Sequence, residues 1–157
     1  MNRSAILSLL GTLLLVFGVA AIGGLATASS VDTWYRALEK PVFNPPDWVF
    51  GPAWTALYLM MAVAAWRVLR NGGWTPASGA LSLFAAQLAL NGLWSVLFFG
   101  LRRPEWALCE ILLLWLAILL STRRFFAHDR IAGWLMLPYL AWVSFATLLN
   151  ASIVRLN

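Results

Sequence analysis

Indole is the side chain through which this sequence is best equipped to act on another molecule. Trp54, Trp94 and Trp142 each lie inside a long apolar run, and each has a polar residue about one helical turn away. Tyr58 follows Trp54 by four residues, Asn91 precedes Trp94 by three, and Tyr139 precedes Trp142 by three. Residues three or four apart share a helix face, so each indole is presented beside an amide or a phenol. Indole is large, flat, polarisable and electron-rich. It stacks on flat aromatic ligands and can donate an electron to one. Several indoles with a few fixed polar groups suggest an apolar pocket for a large planar molecule. The chain holds ten tryptophans in 157 residues, more than headgroup anchoring of a membrane protein needs. Trp54, Tyr58, Met61 and Ala65 share one helical face, and Tyr139, Trp142, Ala146 and Leu149 another, with Asn150 at its edge. Such stripes also serve ordinary packing, and the polar partners are what favour a pocket.

Other chemistry is sparse. One histidine, His128, and one cysteine, Cys109, leave no metal-ligand cluster, and there is no Gly-rich phosphate loop or Ser/His/Asp set. The residues speak against a metal- or triad-dependent enzyme, and no cofactor is expected to be required. Cys109 reads as a small packing residue. Glu110 is the carboxylate clearly inside an apolar run. Its side chain either serves a function in the interior or snorkels to the interface beside Arg102 and Arg103.

The elements that must position these side chains follow from composition. Hydrophobic residues make up 62% and charged residues 11%, against roughly 25% charge in soluble domains. Five runs, Ala5–Ala28, Val49–Leu69, Ser78–Phe99, Glu105–Ser121 and Ile131–Val154, approach the ~20 residues that cross a bilayer as a helix. They are continuous rather than alternating, which favours a helical bundle over a barrel. The expected fold is all-α, a single membrane domain over 1–157 with five transmembrane helices. The net charge of +5 comes from basic residues at the ends of the runs, so it reads as headgroup anchoring and not as a nucleic-acid surface. The two sides carry six and five basic residues, which leaves orientation undecided. Ala26-Thr27-Ala28 matches a signal-peptidase site, but the preceding apolar stretch is long, and the segment reads as a retained first helix.

The longest connection, Ser29 to Trp48, carries Trp34, Tyr35, Phe43 and Trp48 together with Pro41, Pro45 and Pro46. Asp32 is expected to N-cap a short helix that Pro41 stops near Lys40. The segment reads as a lid over one end of the bundle. The other connections are expected at Arg70–Pro76, Gly100–Pro104 and Thr122–Arg130, making sequential helices antiparallel neighbours. On the third run Ser78, Ser82, Ala85, Ala89 and Gly92 form a seam of small residues that admits a second helix closely, and a homodimer is expected there. Nearly opposite lie Gln87, Asn91, Trp94 and Ser95, whose polar groups should face the bundle interior.

Three blocks carry a resemblance. W-Y-R-A-L-E-K-P-V-F-N-P-P-D-W-V-F-G-P-A-W-T-A-L-Y from Trp34 to Tyr58, Q-L-A-L-N-G-L-W-S-V-L-F-F-G from Gln87 to Gly100, and the Pro138-Tyr139, Trp142, Phe145-Ala146, Leu149-Asn150 set resemble the TspO/MBR family in order and spacing. These are the tryptophan-rich sensory proteins and the mitochondrial translocator protein. The resemblance implies a five-helix membrane bundle with a first-loop lid, usually dimeric. It implies a pocket for porphyrins such as protoporphyrin IX and haem, for isoquinoline or benzodiazepine-type ligands, and in many members for cholesterol. By matching positions it places Tyr35, Trp54, Asn91, Trp142 and Ala146 in that pocket, beside the Tyr58, Trp94 and Tyr139 that the spacing already turned inward. Some members promote light-dependent porphyrin degradation, for which Trp54 and Trp142 are the candidate electron donors here. The segment Leu149–Arg155 lacks the tyrosine of the animal cholesterol motif, which makes tight sterol recognition doubtful and a bacterial cell envelope the expected location. The competing readings are a tetrapyrrole sensor or carrier, a photochemical degrader, a sterol or lipid transporter, and a structural membrane protein.

Overall fold

The computed structural model describes residues 3–72 and 74–157. Helices α1 (Arg3–Ala28), α2 (Asp47–Gly72), α3 (Trp74–Ser95), α4 (Pro104–His128) and α5 (Arg130–Leu156) are each long and apolar enough to cross a membrane. The chain is an all-α, multi-pass integral membrane protein. Around the bundle the order of neighbours is α1, α2, α5, α4, α3, with α3 closing back on α1. Consecutive α2 and α3 are therefore not the principal neighbours that a short connection implies, because α1 and α5 take most of the surface of α2.

The helices run further than the apolar runs. The expected connection Thr122–Arg130 shrinks to the single residue Asp129. The apolar run ends at Ser121, ahead of Arg123 and Arg124, but charges do not stop a helix; they only mark where it leaves hydrocarbon. Phe125 remains buried, stacked on Phe84 with ring centroids 5.5 Å apart. Asp129, in extended conformation, then starts α5 by accepting the Ala132 N–H at 2.8 Å. Its carboxylate also takes the Arg67 guanidinium in bidentate fashion, at 3.1 and 2.9 Å, and the Asn71 amide. One side chain thus joins the end of α2 to the α4–α5 turn. Burial costs are offset by these bonds, and the Arg67 pairing holds the Asp129 carboxyl below the usual carboxylate range. Beside it Gly133 is required, because a Cβ there would lie 2.3 Å from the Phe126 ring.

α4 opens with Pro104 in its first turn, where a missing N–H costs nothing. Arg102 before it adopts a left-handed φ of 56°. Pro138 inside α5 leaves the Trp134 carbonyl without its helical donor. α3 ends in a π-helical turn, Val96–Gly100.

Two expectations about particular residues are corrected. Asp32 caps nothing: the first connection forms a π-helical turn over Val31–Tyr35 with Ser30 at its N-cap, and Asp32 pairs with Arg36 at 3.0 Å instead. Ser30 anchors that turn by donating to the Phe99 carbonyl at 2.8 Å. Cys109 is exposed on the outer face of α4 and is not a core residue.

Along the third helix Ser78, Ser82, Ala85 and Ala89 are exposed, while Gly92 is covered by Val19 of α1. The seam is therefore divided between a contact within the chain and an uncovered upper part. α1 buries Ala5, Val16 and Gly23, with Leu13 packed against the core, while Ile6, Leu7, Leu10, Leu14, Leu15, Ile22 and Leu25 are exposed, as suits contact with lipid.

Candidate functional site

A cavity of about 430 Å³ lies at the end of the bundle where α1 and α3 finish and α2 begins. Its size falls within the ~300–1,000 Å³ of small-molecule sites. α2 contributes Phe50, Trp54 and Tyr58; α5 contributes Trp142, Phe145, Ala146, Leu149 and Asn150; the end of α3 contributes Trp94, Ser95, Phe98 and Phe99. The first connection covers it with Val31 and Tyr35. The remaining wall is α1, through Ala20, Gly23, Gly24, Thr27 and Ala28. These have almost no side chain, so the wall is backbone and methyl groups. α4 contributes no lining residue and acts as the outer brace.

Trp54 is the centre of the aromatic cluster. Its ring lies 5.3 Å from Tyr58, 6.2 Å from Tyr139 and 6.4 Å from Trp142, the last at 79°. Trp142 is flanked in turn by Phe50 at 6.0 Å and Phe145 at 5.8 Å. Trp94 stacks on Phe98 at 5.1 Å, and its indole N–H donates to Asn150 at 3.2 Å. Asn150 is bonded at both ends, since its amide nitrogen also donates to the Pro104 carbonyl at 2.9 Å. Among the described residues no protein acceptor takes the Trp54 or Trp142 N–H.

Six of the residues singled out from sequence, Tyr35, Trp54, Tyr58, Trp94, Trp142 and Ala146, line this one space. Asn91 and Tyr139 stand one layer behind it. The Tyr58 hydroxyl donates to Asn91 Oδ1 at 2.6 Å, and Asn91 Nδ2 donates to the Tyr139 hydroxyl at 3.0 Å. Asn91 therefore holds Tyr58 from α2 and Tyr139 from α5 onto α3, with both its oxygen and its nitrogen bonded to protein. Gln87 and Glu110 are buried, with no hydrogen-bond partner for their side chains among the described residues, and stand outside the lining.

The lid is held both to the bundle and to itself. Tyr35 packs edgewise on Phe98 and Phe99, at 6.2 and 5.5 Å. Its hydroxyl donates to Asn44 at 3.2 Å, and burial, aided by the negative charge of Asp47, pushes its pKa up to about 12. Lys40 sits over the same ring, 4.7 Å from its centroid. The Asn157 amide pairs with the Glu39 backbone in both directions, at 3.0 Å each, so the end of α5 clasps the lid.

This arrangement of lid, α2, α3 and α5 side chains has relatives. The TspO/MBR family profile matches residues 12–156. The chain belongs to the TspO/MBR family. A tryptophan-rich protein TspO of Archaeoglobus fulgidus is 43% identical over 97% of this chain and 98% of its own. A tryptophan-rich sensory protein of Cereibacter sphaeroides is 45% identical over 88% of both chains. The human translocator protein is 41% identical over 79% of this chain and 75% of its own. Family membership supports a membrane sensor or translocator role.

Sequence reasoning missed the α1 wall and the aromatic flanks Phe50, Phe98 and Phe145. The α1 residues carried a signal, since Ala20, Gly23, Gly24, Thr27 and Ala28 form a small-residue face at helical spacing. Asp47 was also passed over, read as part of a Pro-rich stiff segment.

Proposed function

We propose that the cavity holds a flat tetrapyrrole, protoporphyrin IX or haem, and that the protein acts as its sensor or carrier in the membrane. The observation that carries this reading is the cluster of Trp54, Trp142 and Trp94 around one largely apolar space closed by Tyr35. Indoles at steep mutual angles give a planar macrocycle a face and an edge to pack on. The uncommitted N–H groups of Trp54 and Trp142 supply donors to acceptor atoms on the ligand.

The same contacts support light-driven chemistry. An excited porphyrin beside Trp54 or Trp142 takes one electron from the indole; the porphyrin radical anion adds molecular oxygen, and return of one electron to the indole radical cation leaves a porphyrin that carries both oxygen atoms and a restored indole. No metal is needed, only proximity. Isoquinoline or benzodiazepine-type ligands would use the same aromatic walls. A homodimer through the exposed Ser78, Ala85 and Ala89 seam, and residence in a bacterial cell envelope, complete the proposal.

A sterol or lipid carrier is the second reading, favoured by the nearly side-chain-free α1 wall, which would pass an apolar rod as readily as a disc. Titrating purified protein with protoporphyrin separates them. Tryptophan quenching without product supports a binder, and light-dependent bleaching with a new product spectrum supports the degrader. Absence of quenching leaves the sterol or lipid reading.

A further inference from the structure

Asp47 is the only charged residue among those that line the cavity. It stands in the first turn of α2, exposed at the mouth, and among the described residues it takes part in no ion pair. Its charge is felt at the Tyr35 hydroxyl, another lining group. Of the cations at this end, Arg102, Arg103 and Arg155 are exposed and lie outside the lining, and the two on the lid are engaged. Arg36 pairs with Asp32 at 3.0 Å, and the Lys40 ammonium donates to the Arg36 and Leu38 carbonyls at 3.3 and 3.2 Å while covering the Tyr35 ring. The lining phenols and the Asn150 amide are bonded to protein, which leaves neutral donors, the Trp54 and Trp142 N–H groups and the Ser95 hydroxyl.

A carboxylate carried into this space would meet apolar walls, a like charge at the mouth and no free cation in the lining. A neutral ligand, or one bearing a cationic end, meets no such opposition. We propose that Asp47 is a charge filter at the cavity mouth, selecting neutral or cationic flat ligands over those with a carboxylate at that end. On the tetrapyrrole reading, on which this rests, a dicarboxylate macrocycle is admitted with its acid edge turned away from Asp47, and esterified macrocycles enter without that restriction.

The test uses the full chain in an uncharged maltoside detergent with two ligand sets read by tryptophan quenching. The first is protoporphyrin IX and its dimethyl ester. The second is pyrenebutanoic acid, its methyl ester and pyrenebutylamine, flat probes that do not depend on the tetrapyrrole reading. Asp47→Asn, which keeps a good residue for a helix start, should tighten binding of the acids by about two- to thirtyfold, the range for a like charge about 8 Å away between water and a protein surface. The esters should change by less than about twofold, and the amine should weaken. Raising salt should shrink the gain, and Asp47→Glu should retain the wild-type ranking. If the pyrenes rank by charge while neither porphyrin quenches, the filter stands and the tetrapyrrole reading falls. If Asp47→Asn leaves the acid-to-ester ratio unchanged in both sets, the filter is overturned.

Discussion

Replacing Asn91 by leucine tests whether the second layer acts through packing or through ligand contact. In the structure Asn91 accepts from Tyr58 at 2.6 Å and donates to Tyr139 at 3.0 Å, all three being buried. Asn91→Leu removes both bonds and leaves two phenol groups unpaired in an apolar interior. Hydrogen bonds between transmembrane helices contribute about 0.6 kcal/mol on average and up to about 1.7, so two together contribute about 1 to 3 kcal/mol. At about 2–4 °C per kcal/mol for a chain of this size, the melting temperature in detergent should drop by about 3 to 10 °C. Porphyrin affinity should fall less than about tenfold, because the loss reaches the cavity only through a loosened Tyr58 ring. Tyr58→Phe and Tyr139→Phe added to Asn91→Leu should recover much of the stability, since removing a whole polar set is milder than removing one member. The reasoning fails if Asn91→Leu leaves melting unchanged but abolishes binding. That result would place the amide against the ligand itself.

Four further outcomes follow from the same geometry. Trp142→Phe should keep the fold and most porphyrin affinity while sharply slowing photobleaching, since phenyl stacks but donates electrons poorly; equal bleaching in Trp142→Phe and Trp54→Phe relative to wild type removes the indole mechanism. Tyr35→Ala should speed ligand release more than Asn157→Leu does, because Tyr35 covers the cavity whereas Asn157 only clasps the lid; stopped-flow recovery of tryptophan fluorescence measures both, and unchanged off-rates would make the segment a surface anchor. Ala85→Leu or Ala89→Leu should weaken self-association more than binding, read by native mass measurement, and a fully dimeric variant would show that the exposed seam is not the interface. The Asp129 carboxyl is held below its ordinary value by Arg67. Its stabilisation is therefore complete above the unfolded value and lost as pH falls through the lowered folded one. Melting should stay flat down to about pH 4 and fall below it, and Asp129→Asn should blunt that fall.

The spans were legible because an apolar stretch long enough to cross a bilayer has few alternatives. Trp54, Tyr58, Trp94, Trp142 and Ala146 were legible as inward-facing because helical spacing put them on shared faces. What resisted reading was distance along the axis. Spacing turned Asn91 and Tyr139 inward but could not say that they stop one layer short of the cavity, which depends on the neighbour each helix meets. Helix ends were misjudged at Ser121 because the signal read was hydrophobicity, whereas the true end is set by Asp129 and its bonds to Arg67, Asn71 and Ala132. The α1 wall left little trace because it works by lacking side chains. Tyr35 came from the family resemblance, as nothing in a Pro-rich connection says which aromatic will turn in.

Asp129 gives the bundle a mechanical asymmetry. By fastening α2 to the α4–α5 turn it makes one end of the molecule a pivot, and the cavity sits toward the other end of the same two helices. Trp54 lies thirteen residues before Arg67 on α2, a lever of about 20 Å at 1.5 Å per residue. A rotation of about 5° at the pivot then moves the indole by about 1.7 Å, close to half the thickness of an aromatic ring. Small tilts at a fixed end are thus magnified where Trp54 faces Trp142, so the width of the gap between these indoles is set far away, by the bonds at the fulcrum.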